Sequence, residues 1–365
     1  MSGEQAADDV TLSGRVPHPK YILAAVGLAS LFVMPAVLST FHLFVLGSIC
    51  FMVTFTISWD FFTGSTGYFN FAHMVIVGLA GYSSALLHTE LGYGLIISIL
   101  AATAIAGAFG TIVIAGPTLR LSGIYFAALT FILPVYAKEV VVLFGDITGG
   151  LPGYLYISPL GPRLSELVPL NVSGDLLLYY TSVILFTLAL AGFVVLSKSQ
   201  FGSVLRAIRQ DELLLSSIGI NPTKFKIAGF AITAVVAGFA GSVWTHFLVT
   251  LTPATQLSIQ NMVDIVIAAT IGGIGTIVGP AIGMFLIKFI DQGVVILQNE
   301  VIGQPFGIAL VEYRRGFTLI VALLFFYVYP SGLYPAIRRQ LDKLTSGSGD
   351  GQLDRLTSSS GEGED

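Results

Sequence analysis

LFVLGSICFMVTFTISWDFF, from Leu43 to Phe62, holds one charged side chain, Asp60. A helix rises 1.5 Å per residue, so about 20 such residues reach across the roughly 30 Å hydrocarbon core of a bilayer. The apolar residues run on without a break. They neither alternate as in a half-buried strand nor recur every three or four residues as on a helix facing water. Similar runs occupy Tyr21–Thr40, Phe69–Leu87, Tyr93–Ala115, Gly123–Phe144, Leu176–Leu196, Phe225–Val249, Met262–Ile290 and Phe317–Leu333. Composition agrees: 54% of the 365 residues are hydrophobic and 10% charged, whereas a soluble domain carries about 25% charged residues. Mean hydropathy is +0.85. The sequence therefore predicts an all-α, polytopic transmembrane helical bundle of about eight to ten spans.

One cysteine, Cys50, excludes an internal disulfide and a cysteine-based metal cluster. The start, Met1–Asp9, is acidic, and the first apolar run begins only at Tyr21. A cleaved signal peptide wants a basic start and a short apolar core. Residues 1–20 and 336–365 read as disordered cytoplasmic tails, polar and rich in Gly, Ser and acids toward the chain ends. The long apolar region, 21–335, lies between them.

Orientation follows from basic residues in short loops, which stay cytoplasmic. Lys198, Arg206, Arg209, Lys224 and Lys226 flank one segment, 197–226, which goes inside. Gly145–Asp175 holds Asp146, Glu166 and Asp175 against Arg163 and goes outside. Counting back puts Arg120, Lys20 and Arg15 inside, in agreement. Counting forward raises a parity question. If Met262–Ile290 crosses once, Arg338, Arg339 and Lys343 end outside. A re-entrant pair of half-helices, broken at Gly272-Gly273-Ile274-Gly275, or an extra short crossing, returns them inside and is preferred to a simple span. It leaves Arg314 and Arg315 on the outer side, against the rule.

Three stretches stand out. The first is the cytoplasmic loop, Ser199 to Pro222. Ser203 can cap a helix start and Gly219 fits the position after a helix end. Leu205, Ile208, Leu215 and Ile218 fall near one face, with Arg206, Ala207, Arg209, Asp211 and Glu212 around them. Such a helix either docks into a partner's groove or lies on its own bundle. The second is Gly272 to Gly283. Gly275, Gly279 and Gly283 sit four apart and form a smooth strip if helical, while Pro280 removes a donor and bends the helix. This reads as a hinge or as plain helix packing. The third is Thr63–Gly67, where Gly64 and Gly67 weaken a helix and predict a break. Asp60, Asn70 and His73 bracket it. Asp264 precedes the glycine strip, and ionisable residues inside spans are candidates for function.

No residue pattern suggests a catalytic set, a cofactor or a metal site. There is no row of voltage-sensing arginines and no G-x-x-x-x-G-K-[ST] phosphate loop. ATP-driven transport would need another chain to hydrolyse the ATP. Asn171-Val172-Ser173 is a glycosylation sequon of little weight.

Several stretches together resemble the permease subunits of branched-chain amino acid ABC transporters, over roughly Gly64 to Leu333. They are Phe201-Gly202-Ser203-Val204-Leu205-Arg206-Ala207-Ile208-Arg209 with Ile218-Gly219-Ile220-Asn221, and Gly272 to Pro280. Leu121-Ser122-Gly123-Ile124-Tyr125-Phe126-Ala127 and Thr148-Gly149-Gly150 match as well. The last two, with Gly279-Pro280, favour the LivM-like branch over its LivH-like sister. Asn70-Phe71-Ala72-His73 is closer to the sister branch.

The resemblance implies a non-enzymatic permease in the plasma membrane. Arg206, Ala207, Arg209, Asp211, Glu212 and Gly219 would couple it to an ATPase. Gly64, Gly67, Asn70, His73, Asp264, Gly272, Gly273, Gly275, Gly279 and Pro280 would line or hinge the path. Two cytoplasmic ABC ATPase subunits, a second homologous, LivH-like permease and an extracellular or periplasmic solute-binding protein would be its partners in the lipid bilayer. No nucleic acid is involved. Related permeases carry urea or short amides, so these remain alternative solutes. A secondary carrier with a broken helix in each half, and a passive channel for a small neutral solute, are the alternatives from other classes.

Overall fold

The computed structural model describes residues 19–121, 123–167, 173–296, 298 and 310–340. Ser122, Asn171 and Val172 of the sequon, and the tails 1–18 and 341–365 lie outside the described residues. Chain contacts define two units. The smaller comprises residues 1–33 and 338–365 and contains α1 (Pro19–Val33), a short apolar helix.

The larger unit, 34–337, is the bundle. Its helices are α2 (Thr40–Thr66), α3 (His73–Thr89), α4 (Leu95–Thr118), α5 (Gly123–Leu143), α6 (Leu160–Leu167) and α7 (Gly174–Lys198). Next come α8 (Gln200–Gln210), α9 (Glu212–Ser217), α10 (Pro222–Leu248), α11 (Ile259–Gly272), α12 (Val278–Ile296) and α13 (Leu310–Val328). Beyond a 45° bend the chain continues as helix Leu333–Gln340, so residues 336–340, expected in the tail, are helical.

α2 is the hub. Every residue from Ile49 to Thr66 is buried, which is how a helix reads when it has neighbours on all sides. It packs on α7, α10, α12 and α8. Aromatic rings interlock it with α10: Phe51 with Phe247 at 5.2 Å, Phe55 with Trp244 at 5.5 Å and Phe62 with Phe230 at 5.4 Å between centroids. Such pairs contribute about 0.5–1.5 kcal/mol beyond area burial. α5 is the opposite case, with only 17% of its apolar window buried.

The bundle has two distinct ends. α8 and α9 occupy the basic-loop end. At the other, the acidic-loop end, Tyr154 bridges Leu251 and His246 Nδ1 lies 3.0 Å from the Ser158 carbonyl. Both glycine-rich expectations can be judged against this frame. α11 and α12 form an antiparallel hairpin, as the parity argument prefers. A Cβ on Gly272 would lie 1.9 Å from the Gly279 carbonyl oxygen, and one on Gly283 would lie 2.0 Å from that of Ala268. Only glycine lets the two backbones approach this closely. The hairpin turn sits at the basic-loop end. The α13 exit returns there too, since a Cβ on Gly273 would lie 2.9 Å from Pro335 Cδ.

Two local expectations change. Gly275 belongs to the turn, not to the helical strip, because α12 starts at Val278. Pro280 therefore falls in the first helical turn, where the missing N–H breaks no intrahelical bond, and it does not kink the helix. The break expected at Thr63–Gly67 falls within that stretch: α2 runs through Gly64 and ends at Thr66, capped by left-handed Gly67 with φ 77°.

Six helices among the described residues are long and apolar enough to span a membrane, and a seventh is reached if the bent pair at α13 counts as one. The count of eight to ten included every apolar run. α1, with 15 residues, α3, with 17, and α11, with 14, are shorter than the spans counted.

Candidate functional site

The basic-loop end is assembled from local capping. Ser199 caps α8, its hydroxyl accepting from the Gly202 N–H at 3.3 Å. Ser203, the expected cap, lies inside α8 and donates back to the Ser199 carbonyl at 3.1 Å. At Asp211 the backbone turns extended, with φ −158° and ψ 105°. Its carboxylate accepts from the N–H groups of Leu213 at 2.9 Å and Leu214 at 3.0 Å. The loop thus holds two helices, not one. The break rotates their faces apart. Leu205, Ile208 and Leu215 are buried, but Ile218 is 67% exposed, beside Leu213 at 80% and Leu214 at 63%. Gly219, with φ 85°, stands where a helix-ending glycine was expected.

Arg209, placed by sequence on a docking rim, is exposed, and its guanidinium also reaches the end of α2. Its Nη1 donates to the Gly64 carbonyl at 2.6 Å, and its methylenes lie against Gly67. Gly64 in turn abuts the hairpin turn: a Cβ there would sit 2.5 Å from Gly275 Cα. One helical turn earlier, Asp60 Oδ1 accepts from the Gly275 N–H at 2.7 Å and Oδ2 from the Ile277 N–H at 3.1 Å. Ile277 has φ 61°, a conformation a β-branched residue adopts only under constraint. The Asp60 bond supplies part of that constraint. Three elements distant in sequence, α8, the α2 end and the α11–α12 turn, thus meet within a few ångströms.

A second cluster adjoins it. Lys226 Nζ donates to Glu212 Oε1 at 2.7 Å and to the Tyr68 hydroxyl at 3.1 Å, while Tyr68 donates to Glu212 Oε2 at 2.9 Å. Burial is the main cause that lifts the Tyr68 hydroxyl above its usual range, which keeps it protonated and donating. The cluster ties the start of α9 to α10 and to the connection after α2.

The family described as "Branched-chain amino acid transport system / permease component" matches residues 41–327. The chain belongs to this permease family. The relatives include the LivM permease protein of the high-affinity branched-chain amino acid transport system of Salmonella typhimurium. It is 26% identical over 312 residues, covering 76% of this chain and 69% of the relative. The Escherichia coli LivM protein is 25% identical over the same shares. A probable LivH permease protein of Methanocaldococcus jannaschii is 25% identical over 172 residues, 47% of this chain and 52% of the relative. No solved structure matches. This permease is a multi-pass plasma membrane protein, a transport component and not an enzyme.

The remaining expected residues divide. Asn70 lies in the connection between α2 and α3 and His73 opens α3, and neither belongs to the Arg209 node. The Asn70 carbonyl accepts from Trp59 Nε1 at 2.6 Å, its side chain accepts from the Ala72 N–H at 3.0 Å, and His73 Nε2 lies 3.0 Å from Ser58 Oγ. Arg206 donates to the Ser197 carbonyl and to the Ser203 hydroxyl. Ala207 is half-buried. Gly272, Gly273 and Gly279 shape the hairpin, and Asp264 lies far along it, bonded to Lys288 at 2.6 Å.

Sequence reasoning singled out Asp60 as an ionisable residue in a span without giving it a role, and it left Tyr68, Lys226 and Ile277 out of the site. Asp60 carried a signal, a lone carboxylate in an apolar span. Its partners lie 215 and 217 residues away, and no local pattern reveals them. Among the described residues no group of three or more His, Cys, Asp or Glu could hold a metal ion.

Proposed function

We propose that this permease carries branched-chain or similar aliphatic amino acids inward, driven by ATP hydrolysis on two separate cytoplasmic ABC ATPase subunits. Leu213, Leu214 and Ile218 form the apolar surface that an ATPase covers. Arg209, one helix back, connects that surface to the hairpin turn. A second homologous permease completes the path, and an external solute-binding protein delivers the amino acid. One observation carries the reading: the Arg209 bond to Gly64, at the point where Gly64 touches Gly275. A push on α8 and α9 is thereby felt at the hairpin tip, and tight glycine packing makes α11 and α12 move as one body. That is the kind of rigid element through which switching transitions act.

The carrier alternative expects a broken helix in each half. Here the Thr63–Gly67 stretch ends α2, and the Gly273–Gly275 stretch joins two packed helices, so neither is a span broken midway. Gentle purification from native membranes tests the proposal. It expects a phosphate-loop ATPase and a second permease to accompany the chain. Vesicles holding that assembly and the binding protein should take up labelled leucine, and not urea, only with ATP inside the compartment facing the ATPases. Uptake of leucine by the isolated chain on a proton or sodium gradient would overturn it.

A further inference from the structure

The end of the hairpin remote from Arg209 carries charge that the coupling role does not use. Asp264 stands on α11, Lys288 and Asp291 on α12, and Arg314 and Arg315 on α13. Lys288 Nζ lies 2.6 Å from Asp264 Oδ2, and Arg314 Nε lies 3.5 Å from Asp291 Oδ1. Arg315 Nη1 is 4.0 Å from Asp264 Oδ1, beyond hydrogen-bond reach. Asp264, Asp291 and Arg315 edge a groove of about 270 Å³ between the three helices, floored by Ile267, Ile287, Leu319 and Ala322.

The side chains are open to the groove: Asp264 is 17% exposed and Arg315 52%. Charges in membrane spans almost always face a protein interior or a water-filled cavity, because hydrocarbon does not solvate them. This face is therefore turned away from lipid. Its chemistry is specific: an acid and a guanidinium, held slightly too far apart for each other, stand over an aliphatic floor. A small molecule with an ammonium and a carboxylate on one carbon would bridge them. Its ammonium would meet Asp264 Oδ1, its carboxylate would take the fork of Arg315, and its aliphatic side chain would lie on Ile267 and Leu319. Urea and neutral amides cannot satisfy both charges.

We infer that this groove is an amino-acid subsite on the translocation path, selecting zwitterions with apolar side chains. The inference deepens the importer reading and rests on it. It also links the two ends of the hairpin, since the element that α8 touches at one tip holds the substrate groups near the other.

Cysteine protection tests it in the complete assembly of permeases, ATPases and binding-protein-free vesicles. Val263, on the groove wall and 38% exposed, is changed to cysteine, with Thr318→Cys as a second reporter. The native Cys50 is fully buried and serves as the silent background. Labelling by a membrane-impermeant thiol reagent is followed with and without ATP and vanadate. Millimolar leucine should slow labelling by about tenfold. Isovalerate, isoamylamine and urea should not, and Asp264→Asn or Arg315→Gln should each remove the protection by leucine. No labelling of either reporter in any nucleotide state, no protection by leucine, or equal protection by isovalerate or urea overturns the subsite. Leucine uptake by the wild-type assembly is measured alongside. Uptake without protection removes the subsite and leaves the importer reading intact, whereas uptake of urea in place of leucine removes both.

Discussion

Asp60 is a carboxylate buried in the longest-packed helix of the bundle, and it is held by two backbone N–H groups of a turn more than two hundred residues away. A buried acid without partners would be a large liability. Here both oxygens are occupied, and they in turn hold Ile277 in a backbone conformation that costs about 1–3 kcal/mol elsewhere. Asp60→Asn keeps the shape but offers one acceptor oxygen where two are needed. One buried N–H is left unpaired, at about 1–3 kcal/mol. The purified variant should therefore melt several degrees below the wild type when unfolding is followed by tryptophan fluorescence, and its uptake should fall. A melting temperature equal to that of the wild type would mean that the turn is held by packing alone.

At the scale of elements, the hairpin decides the architecture. Gly272, Gly279 and Gly283 bring α11 and α12 into backbone contact, so bulk at these positions has nowhere to go. Gly272→Val should abolish accumulation of the folded permease, because its first side-chain atom would already overlap the Gly279 carbonyl. Gly192→Val, on α7 where no atom lies within 4 Å, is the matched control and should accumulate normally. Immunoblots of membrane fractions distinguish the two. The hairpin was readable from sequence because two independent signals converged, a glycine cluster and the parity of basic residues. Arg314 and Arg315, which opposed it, turn out to face Asp291 and Asp264, a pairing that charge counting ignores. The cytoplasmic loop was read less well. Helical spacing assigned Ile218 to the same face as Leu205 and Ile208, because nothing in a periodicity argument registers the extended residue at Asp211. A one-residue interruption is a matter of capping chemistry, here the Asp211 carboxylate accepting from the Leu213 and Leu214 N–H groups. The bond from Arg209, an exposed residue, to Gly64 was invisible to periodicity, because the carbonyl belongs to another helix.

Across the whole molecule, the same loop has two faces with separable duties. The outward face, Leu213, Leu214 and Ile218, is apolar and exposed, and under the proposed function it is the surface that the ATPase covers. The inward face, through Arg209, touches the α2 end and the hairpin turn. Docking and coupling should therefore fail independently. Leu213→Asp with Leu214→Asp adds charge to the outer face and touches no internal bond made by either side chain. The ATPase should no longer co-purify, and uptake should vanish with it. Arg209→Ala leaves that face intact and cuts the bond to Gly64. The ATPase should co-purify as before and hydrolyse ATP, while solute carried per ATP falls by about tenfold or more, as the loss of a charged hydrogen bond of roughly 1.5–3 kcal/mol allows. Arg209→Lys, which retains the charge without the planar fork, should fall between the two. Pull-down and coupled uptake–hydrolysis measurements on one set of vesicles read both quantities. If Arg209→Ala releases the ATPase, the arginine is a docking residue and the bond to Gly64 is incidental. If the double aspartate variant retains the ATPase, the docking surface lies elsewhere on the cytoplasmic end.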